Sequence, residues 1–205
     1  MHHGRPTDLD GHWNHNTAYF DDVIDAMPNE CGTALDIGCG DGLLARVMAQ
    51  HAQQVIGIDP DDRSIAEARE LSADHDNIDF IEGDFLAADL EEDTFDFIAA
   101  VASLHHMPAD EALPKVKALL RPGGTLYVVG VARSKTPPDF GYDVVGTIAN
   151  RVAIARRGYW QHSAPVAEPE KTYKEMRGIA EDQLHGGTFR RRLYYRYTIA
   201  WTRPK

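Results

Sequence analysis

Thr33-Ala34-Leu35-Asp36-Ile37-Gly38-Cys39-Gly40-Asp41-Gly42 is a short apolar run ending in alternating glycines, and residues 43–51 then carry Leu, Ala, Val and Met at helical spacing. The pattern reads as a buried strand, a tight turn and a helix. Glycines in that turn let the backbone approach a ligand closely, and the first N–H groups of the helix are free donors. A nucleoside cofactor uses that combination. Gln54-Val55-Ile56-Gly57-Ile58-Asp59 follows as a second strand, with Asp59 placed 17 positions after Gly42. A carboxylate at that strand end can accept both hydrogen bonds of a ribose 2′,3′-diol.

Working outward, strand and helix alternate. Residues 64–71 read as a helix, 78–82 as a third strand, and Phe95-Asp96-Phe97-Ile98-Ala99-Ala100-Val101 as a fourth, almost wholly apolar as a strand covered on both faces must be. Residues 110–120 read as a helix, Arg121-Pro122-Gly123-Gly124 as a turn, and 125–131 as a fifth strand. Crossovers of this kind make the strands parallel. Upstream, residues 16–27 place Tyr19, Phe20, Val23, Ile24 and Met27 on one helical stripe, a leading helix closed by Pro28. Downstream, 134–170 breaks the rhythm with Pro137-Pro138, Pro165 and Pro169 around a possible helix at 148–157, and reads as a cap over the carboxyl edge of the sheet. Residues 172–184 read as a helix, and 188–195 and 197–201 as a closing antiparallel pair. The expectation is a single domain: a leading helical segment (1–30), a cofactor-binding core (31–131), an inserted cap (132–170) and a closing helix with antiparallel strands (171–205).

The glycine spacing separates two kinds of cofactor. A dinucleotide loop wants glycines at 38, 40 and 43, but position 43 is Leu and the third glycine is Gly42. Asp36 would set negative charge near a pyrophosphate, whereas it suits the ammonium of a methionine tail. The loop taken alone also suits a tight turn with no ligand, and Asp36 or Asp59 a helix cap.

Five segments, in order, resemble the class I S-adenosylmethionine (SAM)-dependent methyltransferases, particularly the small-molecule group that includes the quinone-biosynthesis enzymes. They are Leu35 with the glycine loop; Ile56-Gly57-Ile58-Asp59; Gly83-Asp84-Phe85; the run from Phe95 through Leu104-His105-His106-Met107; and Leu119-Leu120-Arg121-Pro122-Gly123-Gly124. The resemblance implies a doubly wound, Rossmann-like α/β fold: a seven-stranded sheet, mostly parallel with an antiparallel last strand, and helices on both faces. It also implies a SAM site: Asp36, Gly38, Cys39 and Gly40 against the methionine tail, Asp59 on the ribose, Pro60 near adenine, Gly83, Asp84 and Phe85 at the adenine edge, and Val101 at the end of the fourth strand beneath the methionine. His15 and Tyr19 resemble positions that close over the cofactor, although Tyr19 equally fits the apolar stripe of its helix.

Methyl transfer from a sulfonium needs alignment above all, so a dedicated base is optional. His105 and His106 follow the fourth strand near the expected sulfonium and are the candidate catalytic residues; imidazole titrates near neutrality and can take a proton from a hydroxyl or phenol, the alternative being that the pair only shapes the pocket or bonds backbone. The acceptor is expected against 134–170, where Phe140, Tyr142, Tyr159, Trp160 and His162 suit a flat or apolar molecule. Arg151, Arg156 and Arg157 either meet an anionic group or form a solvated helix face. No metal site is read.

At 205 residues the chain suits one domain. Its net charge of −11 argues against a nucleic-acid partner. Residues 1–130 hold 7 basic and 25 acidic side chains, and 131–205 hold 14 and 7, so the basic part either faces an acidic substrate or docks on the acidic part. No apolar run reaches the roughly 20 residues of a membrane span, and the start lacks a secretory signal, so a cytoplasmic protein with reduced Cys31 and Cys39 is expected. The sequence carries no signal of oligomeric state. The expected activity is methylation of a small-molecule acceptor; the alternatives are methylation of protein or RNA, and a SAM-binding sensor or scaffold without transferase activity.

Overall fold

β1 (Cys31–Ile37) is the third strand of a seven-stranded sheet whose order, in a computed structural model describing residues 13–160 and 169–205, is β3-β2-β1-β4-β5-β7-β6. The other strands are β2 (Ala52–Asp59), β3 (Ile78–Glu82), β4 (Phe95–Val101), β5 (Leu120–Val131), β6 (Thr188–Arg192) and β7 (Arg196–Thr202). β1 to β5 pair in parallel, and β7 runs antiparallel to both β5 and β6. The expected α/β fold is what the chain adopts. The order reverses across β1, because β2 and β3 lie on one side of it and β4 and β5 on the other; ligands of open α/β sheets bind outside the carboxyl ends at such a reversal.

Alternate residues of the central strands send side chains to opposite faces. Ala34, Val55 and Phe97 join a core with Val23 of α1 (Phe20–Asp25) and Leu44, Val47 and Met48 of α2 (Leu43–Met48). Leu35, Ile58 and Ile98 join the opposite core with Leu113 and Val116 of α4 (Ala109–Leu119) and Met176 and Ala180 of α6 (Tyr173–Gln183). Helices therefore cover both faces, and α3 (Asp62–Leu71) follows β2. Asp96 accepts hydrogen bonds from the Gly32 and Thr33 amides at 2.9 Å each and pairs with Arg121 at 3.2 Å, so it fastens β4 to the start of β1. Cys31 and Cys39 are both free and buried. Among the described residues no helix is long and apolar enough to cross a membrane.

Three expectations change. The helix expected over 148–157 is α5 (Pro137–Arg157), which begins eleven residues earlier. Pro137 and Pro138 start it rather than break it: proline is tolerated in the first turn, and Asp139 accepts from both the Thr136 amide (2.9 Å) and hydroxyl (2.7 Å) as a cap. Arg121-Pro122-Gly123-Gly124 lies inside β5 instead of preceding it, with a register shift against β4 and continued pairing to Arg203. The closing reversal occupies 193–195, so Arg196 is the first residue of β7 rather than the turn.

Candidate active site

At the end of β1 the chain turns back over β2: the Gly38 and Cys39 amides donate to the Ile58 carbonyl at 2.8 and 3.1 Å. Gly38 sits at φ +72°, and a Cβ there would lie 2.3 Å from Ser103 Cβ, so only glycine fits between the loop and the segment after β4. Gly40 differs: at φ +53° its added Cβ meets nothing within 4 Å, because that side faces open space. Asp59 braces the loop, with Oδ2 accepting from the Gly40 amide at 2.9 Å and Oδ1 from the Asp61 amide at 3.0 Å. Each carboxylate oxygen keeps a further lone pair for a ligand.

The open space is a cavity of about 780 Å³ along the carboxyl edge of the sheet. Asp36, Gly38, Cys39, Gly40, Asp59 and Pro60 line its β1–β2 side. Gly83, Asp84 and Phe85 line it beyond β3, Val101 lines it at the end of β4, and His105 and His106 line it beyond β4. Asp84 Oδ1 accepts from the Leu86 amide at 2.8 Å, and Phe85 is 3% exposed, packed in the core with the Lys115 ammonium 5.2 Å from its ring centroid. The rings of His105 and His106 lie 4.1 Å apart, in a 3-10 turn (Leu104–His106).

Of the residues expected to hold SAM or to act as base, Tyr19 alone does not line this cavity. Its hydroxyl donates to the Leu193 carbonyl at 2.7 Å, and burial pushes its pKa up to about 12; the apolar stripe of the leading helix won the residue for the core. Its neighbours Asn14, His15, Asn16, Thr17 and Phe20 form the wall in its place. His15 Nε2–H donates to Asn150 Oδ1 at 2.9 Å, and burial lowers its pKa, which favours the neutral ring. In the expected acceptor segment Tyr159 and Trp160 line the cavity, while Phe140, Tyr142, Arg151, Arg156 and Arg157 are exposed and do not; His162 lies outside the described residues. Sequence reasoning missed Ser103 and Arg196, both cavity-lining. Ser103 stands two residues past β4, a position that strand-end logic could have marked.

Asp36 is the electrostatic centre of the site. It is 1% exposed, and its Oδ2 has no hydrogen-bond partner. Burial, with Asp59 and Asp41 nearby, raises its pKa to about 8. A cationic ligand group satisfies that carboxylate, and the ammonium of a methionine moiety is such a group. The same shift makes stability depend on pH. An unfolded Asp titrates near ~3.9, so between that pH and about 8 the folded chain holds a proton that the unfolded chain releases. The stability from this group is complete below the lower value and is lost as pH rises through the upper one. The melting temperature of the cofactor-free protein is therefore expected to fall from pH 5 to pH 8.5, and Asp36→Asn to flatten that fall. An equal slope in wild type and variant would contradict the assignment.

A methyltransferase-domain family matches residues 34–124. An uncharacterized methyltransferase of Mycobacterium tuberculosis is 34% identical over 199 residues, covering 96% of this chain and 100% of that protein. The sterol 24-C-methyltransferase of Saccharomyces cerevisiae is 38% identical over 99 residues, 46% of this chain and 26% of its own. A ubiquinone biosynthesis O-methyltransferase of Leptothrix cholodnii is 30% identical over 117 residues, 55% of this chain and 48% of its own. Among solved structures, a SAM-dependent methyltransferase from Aquifex aeolicus superposes with a TM-score of 0.62 at 16% identity, over 97% of this chain and 93% of that one, a likeness of fold. Glycine loop, acidic strand end, buried carboxylate and full-length relative converge: the chain belongs to the class I SAM-dependent methyltransferases.

Proposed function

We propose that the protein transfers the methyl group of SAM to a small-molecule acceptor bound in the same cavity. The observation that carries the reading is the continuity of that cavity, which runs from Asp36, Gly40 and Asp59 to a second group of polar and aromatic side chains, His15, His105, His106, Tyr159 and Arg196. About 780 Å³ is within the range of small-molecule and cofactor sites. Two partial relatives named for sterol and ubiquinone chemistry support a small acceptor, and the latter supports the quinone-biosynthesis-like subgroup.

Bound SAM supplies an electrophilic methyl on a sulfonium. The residues of this chain do the rest by positioning. Asp36 holds the ammonium, Asp59 the ribose diol, Gly38, Cys39 and Gly40 give the backbone close approach, and Pro60, Gly83, Asp84 and Phe85 frame the adenine. Val101 closes the floor at the end of β4. His105 or His106 takes the proton when the acceptor is a hydroxyl or phenol.

Radiolabelled SAM incubated with phenols, quinols and carboxylic acids tests the reading through methyl incorporation. With an active hydroxyl acceptor, His105→Ala or His106→Ala is expected to lower kcat about 100-fold, in line with general-base catalysis. Full turnover in both variants would remove the base, and absence of turnover across the panel despite SAM binding would favour a binding module.

A further inference from the structure

Because β7 is antiparallel, its first residue lies at the carboxyl edge, where the parallel strands finish. Arg196 pairs with Val131 across the β5–β7 seam, and both line the cavity. The reversal that delivers Arg196 is strained: Tyr194 and Tyr195 stand at φ +53° and +60°, a region that bulky side chains avoid. A cage holds them there. Tyr194 stacks on His15 with centroids 5.9 Å apart and planes 5° off parallel, the Tyr195 and Thr147 hydroxyls are 2.6 Å apart, and the Tyr195 carbonyl accepts from the Tyr173 hydroxyl at 3.0 Å.

Among the described residues the guanidinium so fixed has only neutral hydrogen-bond partners. Nε and Nη2 donate to Asn16 Oδ1 at 3.2 and 2.7 Å, and Nη1 donates to the Tyr194 carbonyl at 3.2 Å. Those bonds leave two of the five N–H groups of an arginine. Its hairpin neighbours Arg191 and Arg192 are paired with Asp143 and Asp22, whereas among the described residues no carboxylate pairs with Arg196. The groups that favour its charge are the phenols of Tyr173, Tyr19 and Tyr159, and burial works against it. A half-buried cation that no carboxylate of the described residues offsets is unfavourable, and a strained hairpin that keeps one facing a cavity points to a ligand that brings the anion.

We propose that Arg196 anchors a carboxylate of the methyl acceptor, so that the acceptor is a carboxylic acid bound as its anion; this rests on the cavity being the transferase site. The planar fork matches a carboxylate edge. SAM has a carboxylate too, but on the same carbon as its ammonium. Asp36 lies on β1, and the order β1-β4-β5-β7 puts three strand spacings, about 14 Å, between its strand and that of Arg196. Neither residue figures in the electrostatics of the other.

The test pairs acetate, hexanoate and benzoate with their primary amides, each titrated by calorimetry into protein saturated with S-adenosylhomocysteine. At least one acid is expected to bind tenfold or more tightly than its amide; equal binding within every pair would overturn the proposal without any variant. In Arg196→Gln that preference is expected to vanish and in Arg196→Lys to survive in part; its persistence in the Gln variant would overturn the assignment. SAM affinity is measured alongside. A change within twofold in Arg196→Gln is expected and reports a folded cofactor site, while a loss of tenfold or more, with the fold intact by circular dichroism, would assign the guanidinium to the cofactor carboxylate instead. Failure of the wild type to bind SAM would sink the transferase reading, and the acid–amide comparison repeated on the ligand-free protein would then test the anion site by itself.

Discussion

Gly38→Ala is expected to eliminate measurable SAM binding and to destabilise the fold by about 3 kcal/mol, the sum of roughly 1–2 for a left-handed alanine and 1–3 for overpacking. The cause is double. An alanine at φ +72° is strained wherever it stands, and here its Cβ would also overlap Ser103 Cβ at 2.3 Å. Relief requires the loop to leave the Ile58 carbonyl that holds both the Gly38 and Cys39 amides, and that loop is the proposed cofactor cradle. Calorimetric titration and a denaturant melt on one preparation measure both effects. Gly40→Ala is the contrast: its Cβ meets no protein atom, so stability should fall less while binding still suffers. Equal stability losses in the two variants would show that the Ser103 contact does not matter.

Asp59→Ala comes next, with SAM affinity expected to fall at least 100-fold, because a carboxylate's bonds contribute about 1.5–3 kcal/mol each. The carboxylate joins two jobs: it receives the Gly40 and Asp61 amides, and its remaining lone pairs are free for a diol. Asp59→Asn keeps one acceptor oxygen and should recover part of the affinity. NADH titrated in parallel is expected to give no signal, as Leu43 stands where a dinucleotide loop needs its third glycine. Binding of NADH, or SAM affinity intact in the Ala variant, would overturn the role given to Asp59.

Both predictions rest on features legible in the sequence, because they are local. An apolar run, glycines at fixed steps and a carboxylate at the next strand end keep their meaning wherever the chain goes. Contacts made across the fold were not legible. The bonds of Arg196 to Asn16 span 180 positions and the bond of His15 to Asn150 spans 135, and no period in the chain announces such meetings. Arg196 stood among the arginines and tyrosines of 190–196 as one charge of a strand pair, while attention went to Arg151, Arg156 and Arg157, which the structure leaves in solvent. Tyr19 packs into the core and off the cavity wall for another reason: a stripe residue and a cofactor lid look alike until packing decides. Pro137 and Pro138 were read as punctuation in a stretch where, after a capping Thr136, they open a helix of 21 residues.

The reversed strand β7 also sets the proposed acceptor anchor far from the proposed SAM residues in the gene. The stretch shared with the methyltransferase-domain family, 34–124, holds Asp36, Asp59, Asp84 and both histidines, and stops well before Tyr159 and Arg196. Codons for the residues proposed to hold SAM and the codon for the proposed acceptor anchor, Arg196, thus lie far apart and are free to drift at different rates.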